Sequence, residues 1–150
     1  MKQPQKLALE LNEIFPNPKL KAIGDFACCC LTLMWYLDLD FSDIDAIKIV
    51  AGLINKKINN EICLDDECTV HWYPIIKALT GQEVESVSEK TISSLKGIKG
   101  KAIVKFGNGE KRHWGGVKNG KVVFDSLGSS KTIAEGKPLL IKIITIKGIK

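Results

Sequence analysis

Hydrophobic residues in the first quarter of the chain recur at the spacing of helices. Residues 6–15 have leucines and an isoleucine among polar residues, which predicts a first helix that Pro16 ends. A second helix is predicted from residue 26 or 27 to 37, with Asp25 as its N-cap and a linker before it. This segment is apolar nearly all round, which is typical of a helix at the centre of a fold.

Three further helices are predicted before residue 100. Ser42 followed by Asp45 resembles a capping arrangement and begins a helix with regularly spaced isoleucines over residues 43–54. A short helix is predicted over 71–79, with Gly81 at its C-terminal end. Another short helix is predicted near 89–95.

After residue 100 the pattern changes to short runs rich in β-branched and aromatic residues. The runs are 102–106, 114–117, 122–124 and 139–146. Gly107-Asn108-Gly109 and Asn119-Gly120 separate them as hairpin turns, and the second is a strong type I′ signal. Helices followed by strands predict an α+β fold in a single domain over 1–150, with the helices packed on a C-terminal antiparallel sheet.

Composition narrows the classes of function. The chain is 45% hydrophobic and 26% charged, which is typical of a globular protein. Its net charge of +5 comes from scattered lysines without interleaved aromatic residues, so a solvated surface is favoured over nucleic-acid binding. No segment reaches the ~18 apolar residues of a membrane span, and the polar segment 1–11 is unlike a signal peptide. We therefore expect a cytoplasmic protein that binds neither nucleic acid nor membrane.

The five cysteines favour reduced thiols, because an odd number with three in succession is unsuited to a disulfide framework. Cys63, Cys68 and His71 form C-x4-C-x2-H, but a zinc site needs a fourth ligand. The acidic residues between the two cysteines are more simply a solvated loop. We predict no metal and no cofactor.

A different arrangement indicates catalysis. Cys28 lies at the start of the central predicted helix, His113 opens a hairpin, and Asp125 closes it. This is the order of nucleophile, base and orienting carboxylate in many cysteine hydrolases, and a helix start favours a thiolate. Cys29 and Cys30 lie about 100° and 200° further round the helix, so Cys28 is the preferred nucleophile. The alternative is that all three cysteines are small core residues.

The register of the hairpin decides whether Asp125 lies on the same face of the sheet as His113. With Asn119-Gly120 as a two-residue turn, simple pairing sets Asp125 opposite Trp114, on the wrong face of the sheet from His113. A β-bulge or a bend at the strand end would correct this, and Gly115-Gly116 is a pair that accommodates a bulge. Asp125 has an alternative role as a cap of the turn at residues 126–128.

The segments GDFACCCLTL at 24–33 and HWGGVKNGKVVFDS at 113–126 resemble papain-like cysteine peptidases. The likeness is one of order and layout over about residues 15–146. It is closest to the compact bacterial branch with bacteriocin-leader peptidases and NlpC-type endopeptidases, and to small papain-like proteins of phages and plasmids.

The resemblance implies that Cys28 is the nucleophile, His113 the base and Asp125 the orienter, with a peptide or protein as substrate. Two features depart from the family pattern. Residues 19–25 contain no Gln or Asn to hold an oxyanion, and Ala27 stands where a glycine is common. Since losing one oxyanion donor costs ~10²–10³ in rate, the alternative is a catalytically weak or inactive protein-binding module.

Overall fold

The computed structural model describes residues 1–148, which form an α+β fold with six helices. The helices are α1 (Pro4–Ile14), α2 (Pro18–Phe26), α3 (Cys28–Tyr36), α4 (Asp43–Leu53), α5 (Trp72–Thr80) and α6 (Lys131–Ala134). The predicted α+β class is confirmed. None of the helices within residues 1–148 has the length and apolar character to cross a membrane.

The strands form two antiparallel sheets. A two-stranded sheet pairs β1 (Lys57–Ile58) with β2 (Glu61–Ile62). The five-stranded sheet has the order β3-β7-β4-β5-β6, and its members are β3 (Val84–Thr91), β4 (Lys101–Asn108), β5 (Lys111–Lys118), β6 (Lys121–Phe124) and β7 (Lys137–Ile146). The four strand runs predicted after residue 100 are therefore confirmed.

Hydrophobic residues cover both faces of the large sheet. Ile103 of β4 packs into the larger core with helix residues such as Leu31 and Leu33. Its alternate neighbours Ala102 and Val104 belong to a smaller cluster on the other face, next to Ile133. Because β4 is the central strand, it is apolar on both faces. The larger core sets α3 against the sheet, which brings the two halves of the chain together.

Short sequence signals determine two helix ends and one hairpin turn, as predicted. The Ser42 side chain accepts a hydrogen bond from the Asp45 backbone N–H and caps α4. Gly81 follows α5 in the left-handed conformation, with φ 74°, which a glycine adopts without strain. Asn119 and Gly120 both have positive φ, as a type I′ turn requires.

The predicted linker before the central helix is wrong, because Pro18–Phe26 forms α2. The Asn17 side chain accepts hydrogen bonds from the backbone N–H groups of Lys19 and Leu20, and Pro18 occupies the first helical turn. Proline is favoured there because its fixed φ suits a helix start. Asp25 is consequently inside α2, where it pairs with Lys21 at 2.7 Å, and is not the N-cap of α3.

The short helix predicted near 89–95 is also wrong. Residues up to Thr91 belong to β3, which pairs with β7 along its length. β3 lies at the edge of the sheet and is largely exposed. Charged side chains are common on such edges because they discourage pairing with other chains, and here they conceal the strand pattern in the sequence.

Candidate active site

Cys28 is the first residue of α3, and the short turn at Ala27 separates this helix from α2. Its side chain is half-buried, whereas those of Cys29, Cys30, Cys63 and Cys68 are buried. Cys28 lines a cleft of about 420 Å³. Of the three successive cysteines, Cys28 is thus the most accessible, and the buried Cys29 also contributes to the cleft lining.

A buried threonine ties the start of α3 to the sheet. Thr32 lies one turn after Cys28, and its hydroxyl donates a 2.7 Å hydrogen bond to the Cys28 carbonyl. The same hydroxyl lies 3.4 Å from the carbonyl of Trp114 on β5. Thr32 therefore helps to fix the distance between the helix that carries Cys28 and the strand that carries His113.

His113 and Asp125 are in direct contact. Nε2 of His113 lies 2.8 Å from Oδ1 of Asp125, and the two side chains are only 5% and 7% exposed. This bond leaves Nδ1 as the ring nitrogen free for another partner. The sequence predicted the pairing only on the condition of a bulge.

The structure contains that bulge. Val117 pairs with Val122 and Gly116 pairs with Phe124, so Val123 has no partner on β5. Because of this one-residue shift, Asp125 lies opposite Gly115 and therefore on the same face of the sheet as His113. The extra residue lies in β6, opposite the Gly116–Val117 step, and not within the Gly115-Gly116 pair.

Asp125 also holds the turn that follows it, so its two predicted roles coexist. Oδ1 accepts a hydrogen bond from the Leu127 N–H at 3.0 Å, and Oδ2 accepts one from the Ser130 N–H at 2.8 Å. The Gly128 N–H bonds to the Asp125 carbonyl at 2.8 Å. Several bonds fix the carboxylate, which in turn fixes the imidazole.

The hydrogen bonds of this pair shift both pKa values. Burial alone would lower the pKa of His113, but the hydrogen bond to Asp125, the interaction with the Cys28 thiol and the charges of both outweigh it and raise the pKa to about 9. Burial would raise the pKa of Asp125, but hydrogen bonds from His113, Ser130 and Leu127 lower it to about 2. At neutral pH the ring is protonated and the carboxylate is ionised.

Cys28 also contributes to the raised pKa of His113. No hydrogen bond of ordinary geometry joins the two side chains within residues 1–148. Catalytic hydrogen bonds are often loose in a site without substrate, so the arrangement suits a thiol and its base before a substrate binds.

The Gly115-Gly116 pair lets other side chains approach the strand that bears His113. A Cβ on Gly116 would lie 2.6 Å from the ring of Trp35, which stacks on Phe124 with 5.9 Å between ring centroids. A Cβ on Gly115 would lie 2.7 Å from Ile133. The glycines are required by packing next to the site.

Gln5 is a residue of this region that the sequence reasoning missed. Its side chain is 2% exposed; Nε2 donates to the Gly24 carbonyl at 2.9 Å, and Oε1 accepts from the Ser126 hydroxyl at 2.6 Å. Gln5 thereby joins α2, just before Cys28, to the residue after Asp125. The only signal in the sequence is that Gln5 shares a helix face with the buried Ala8.

The walls of the cleft are aromatic and charged. Trp72 and Trp114 meet edge to face with 6.2 Å between ring centroids, and Phe26 also lines the cleft. The charged lining residues are Asp25, Glu67, Lys105 and Arg112. The described residues that line the cleft include neither Asn nor Gln.

The residues of the C-x4-C-x2-H pattern serve other purposes. Cys63 and Cys68 are buried, whereas His71 is exposed at the start of α5. Asp65, between the cysteines, accepts hydrogen bonds from the backbone N–H groups of Glu67 and Thr69. In the part of the chain that the structure describes, no group of three His, Cys, Asp or Glu side chains is arranged to hold a metal ion.

Comparison with known proteins gave no match to a protein-family model, to a curated protein or to a solved structure.

Proposed function

We propose that the protein is a thiol-dependent hydrolase of peptide or amide bonds on a papain-like fold, with Cys28, His113 and Asp125 as its catalytic triad. The observation that supports it most is the buried 2.8 Å contact between His113 and Asp125, beside a half-buried Cys28 that lines a cleft. A nucleophile, a base and a group that orients the base are the three parts this chemistry needs.

In the proposed reaction, the Cys28 sulfur attacks the carbonyl carbon of the scissile amide. The attacking sulfur is the thiolate, and the tetrahedral intermediate collapses when the protonated ring of His113 donates its proton to the leaving amine. The acyl group is left as a thioester on Cys28. Water, deprotonated by His113, then attacks the thioester and releases the acid product and the free thiol.

Asp125 would hold the ring through Nε2 so that Nδ1 meets the thiol. Because the pKa of His113 is raised to about 9, the ring is positively charged at neutral pH. A positive charge beside a thiol favours its thiolate form, and the thiolate is the nucleophile.

The oxyanion needs a donor other than a side-chain amide, since the described residues of the cleft wall include none. We propose the backbone N–H groups at the start of α3, next to Cys28, for this role. Backbone donors alone are weaker than a set completed by an amide side chain, so the proposed enzyme is expected to be slow.

The test combines alkylation with peptide cleavage. Cys28 is expected to react with iodoacetamide at pH 6 faster than free cysteine, as followed by peptide mass. The protein is then incubated with a pool of peptides of known sequence, and new termini are identified by mass spectrometry. Cleavage is expected for the wild type and for His71→Gln, whose histidine is exposed, but not for Cys28→Ser or His113→Gln.

The proposal would be overturned if Cys28 reacted no faster than free cysteine and no peptide were cleaved. The buried ion pair would then be structural, and the second candidate, a protein-binding module that uses the same cleft, would be favoured. The observation that favours this second function is that the described residues of the cleft wall include no side-chain amide donor.

A further inference from the structure

The cleft beside Cys28 contains two cations that have no carboxylate partner among the described residues. Lys105 on β4 and Arg112 on β5 both line it. Within residues 1–148, neither belongs to any of the ion pairs, although Lys21, Lys77, Lys101 and Lys142 each pair with an acidic side chain. The positive charge of Lys105 and Arg112 is therefore available to a ligand.

The acidic residues of the cleft do not cancel this charge. Asp25 is already bound to Lys21 at 2.7 Å. Glu67 is exposed on the loop before α5 and does not pair with Lys105 or Arg112. The side of the cleft that the sheet forms therefore has an excess of positive charge next to the Cys28 thiol.

Both cations are held in place by the protein. Lys105 Nζ lies 5.7 Å from the centroid of the Trp114 ring, and Lys105 pairs in register with Trp114. Arg112 Nη1 donates to the carbonyls of Gly109 at 2.7 Å and Lys111 at 2.9 Å, which leaves the rest of the guanidinium free. Cations fixed beside an apolar wall bind an anion at a smaller entropic cost than mobile surface lysines do.

Lys105 is also near the start of α3. Lys105 and the first two residues of α3, Cys28 and Cys29, line the same cleft. An anion bound by Lys105 would therefore lie in the cleft that the attacking sulfur lines. The cations are in a position to recognise a group next to the reacting bond.

We propose that Lys105 and Arg112 form an anion subsite that selects peptide substrates with a carboxylate beside the scissile amide. The role of this subsite in substrate selection rests on the proposed function, whereas anion binding by Lys105 and Arg112 does not. The carboxylate belongs either to an acidic side chain or to a chain terminus, and the two sources are separable by experiment.

The first test compares two alkylating agents of similar size. Iodoacetate is anionic and iodoacetamide neutral; the first transfers a carboxymethyl group and the second a carbamoylmethyl group to the Cys28 thiolate, each with loss of iodide. At low ionic strength, the rate ratio of iodoacetate to iodoacetamide is expected to fall about tenfold in the double variant Lys105→Gln/Arg112→Gln. The control Lys118→Gln/Lys121→Gln removes the same charge from exposed positions and should leave the ratio unchanged.

The second test measures binding without catalysis. The Cys28→Ala protein is titrated with acetyl-Ala-Ala-Glu-Ala-amide, its Gln counterpart and acetyl-Ala-Ala-Ala with a free C-terminus, and the Trp114 indole signal is followed by NMR. Salt-sensitive binding of the Glu peptide identifies a side-chain carboxylate, and binding of the free acid identifies a terminal one. The Gln peptide should not bind.

The two proposals fail in different ways. The anion subsite would be overturned if the double variant left the rate ratio of iodoacetate to iodoacetamide unchanged and the three peptides bound equally well or not at all. This would hold even if the protein cleaves peptides. Salt-sensitive binding by the Cys28→Ala protein, with no cleavage by the wild type, would support the subsite and overturn the hydrolase.

Discussion

The Ser126 hydroxyl donates a 2.6 Å hydrogen bond to Oε1 of Gln5, a residue 121 positions earlier in the chain. The backbone repeats the connection, because the Gln5 N–H donates to the Ser126 carbonyl at 2.9 Å. Ser126 follows Asp125, and the other end of the Gln5 side chain holds Gly24, four residues before Cys28. Gln5 thus links the two sides of the candidate site through the interior.

Replacing Gln5 tests this link. Gln5→Leu leaves the Gly24 carbonyl and the Ser126 hydroxyl buried without their partner, which is expected to lower the free energy of unfolding by roughly 2 to 4 kcal/mol. Under conditions where the variant is folded, alkylation of Cys28 should also slow. Gln82→Leu, at an exposed position, should change neither quantity. Normal alkylation in folded Gln5→Leu would show that Gln5 stabilises the fold without positioning the site.

The raised pKa of His113 makes stability depend on pH. Because the pKa rises from its ordinary value of 6.5 to about 9 on folding, the stabilisation is complete below pH 6.5 and is lost as the pH rises through about 9. The loss is on the order of 3 kcal/mol. Urea unfolding between pH 6 and 10 should show the decline in the wild type and in His71→Gln. The same slope in His113→Gln would contradict the assignment.

Asp125 gives the opposite dependence in acid. Its pKa falls from the ordinary 3.8 to about 2 on folding, so its stabilisation is present above pH 3.8 and is lost as the pH falls through about 2. Asp125→Asn should weaken this acid dependence, and it should also remove most of the alkaline decline, since the same ion pair produces both effects. Unfolding by urea at pH 2 to 5 measures the first effect. If the alkaline decline in stability persisted in Asp125→Asn, His113 and Asp125 would not act as a pair.

The five thiols are expected to differ in reactivity. One, that of Cys28, should react with Ellman's reagent in the native protein within minutes, whereas all five react in denaturant. Burial raises the pKa of Cys68 to about 12, and Cys30 is fully buried. Cys28→Ser should remove the fast phase, while the neighbouring Cys29→Ser should retain it. A second thiol that reacts fast in the folded protein would contradict the burial of the other four cysteines.

Two glycines should respond oppositely to alanine. At Gly116 a Cβ would meet the Trp35 ring at 2.6 Å, so Gly116→Ala is expected to destabilise the fold by about 1–3 kcal/mol. Gly52 is in α4 with open space around it, so Gly52→Ala should stabilise by about 0.5–1 kcal/mol. Thermal unfolding of both variants provides the comparison. A neutral Gly116→Ala would mean that Trp35 can move away from the strand.

Much of the local structure follows from the sequence. The cap at Ser42, the stop at Gly81 and the turn at Asn119-Gly120 depend on the conformations of a few adjacent residues, and those conformations depend on residue type. Short runs rich in β-branched and aromatic residues identified β4, β5, β6 and β7. Where a tertiary role dominates, the pattern misled: β3 is charged because it is an edge strand, and Pro18 begins a helix in a segment expected to be a linker.

The candidate site shows the same division. The sequence by itself determined the residue types, their order along the chain and the need for a bulge before His113 and Asp125 could share a face. Only the tertiary structure decided that Val123 supplies the bulge, that Asp125 both meets the ring and holds its turn, and that Gln5 connects the two sides. Register, burial and contacts between distant residues depend on the packing of whole elements, and no short stretch of sequence encodes them.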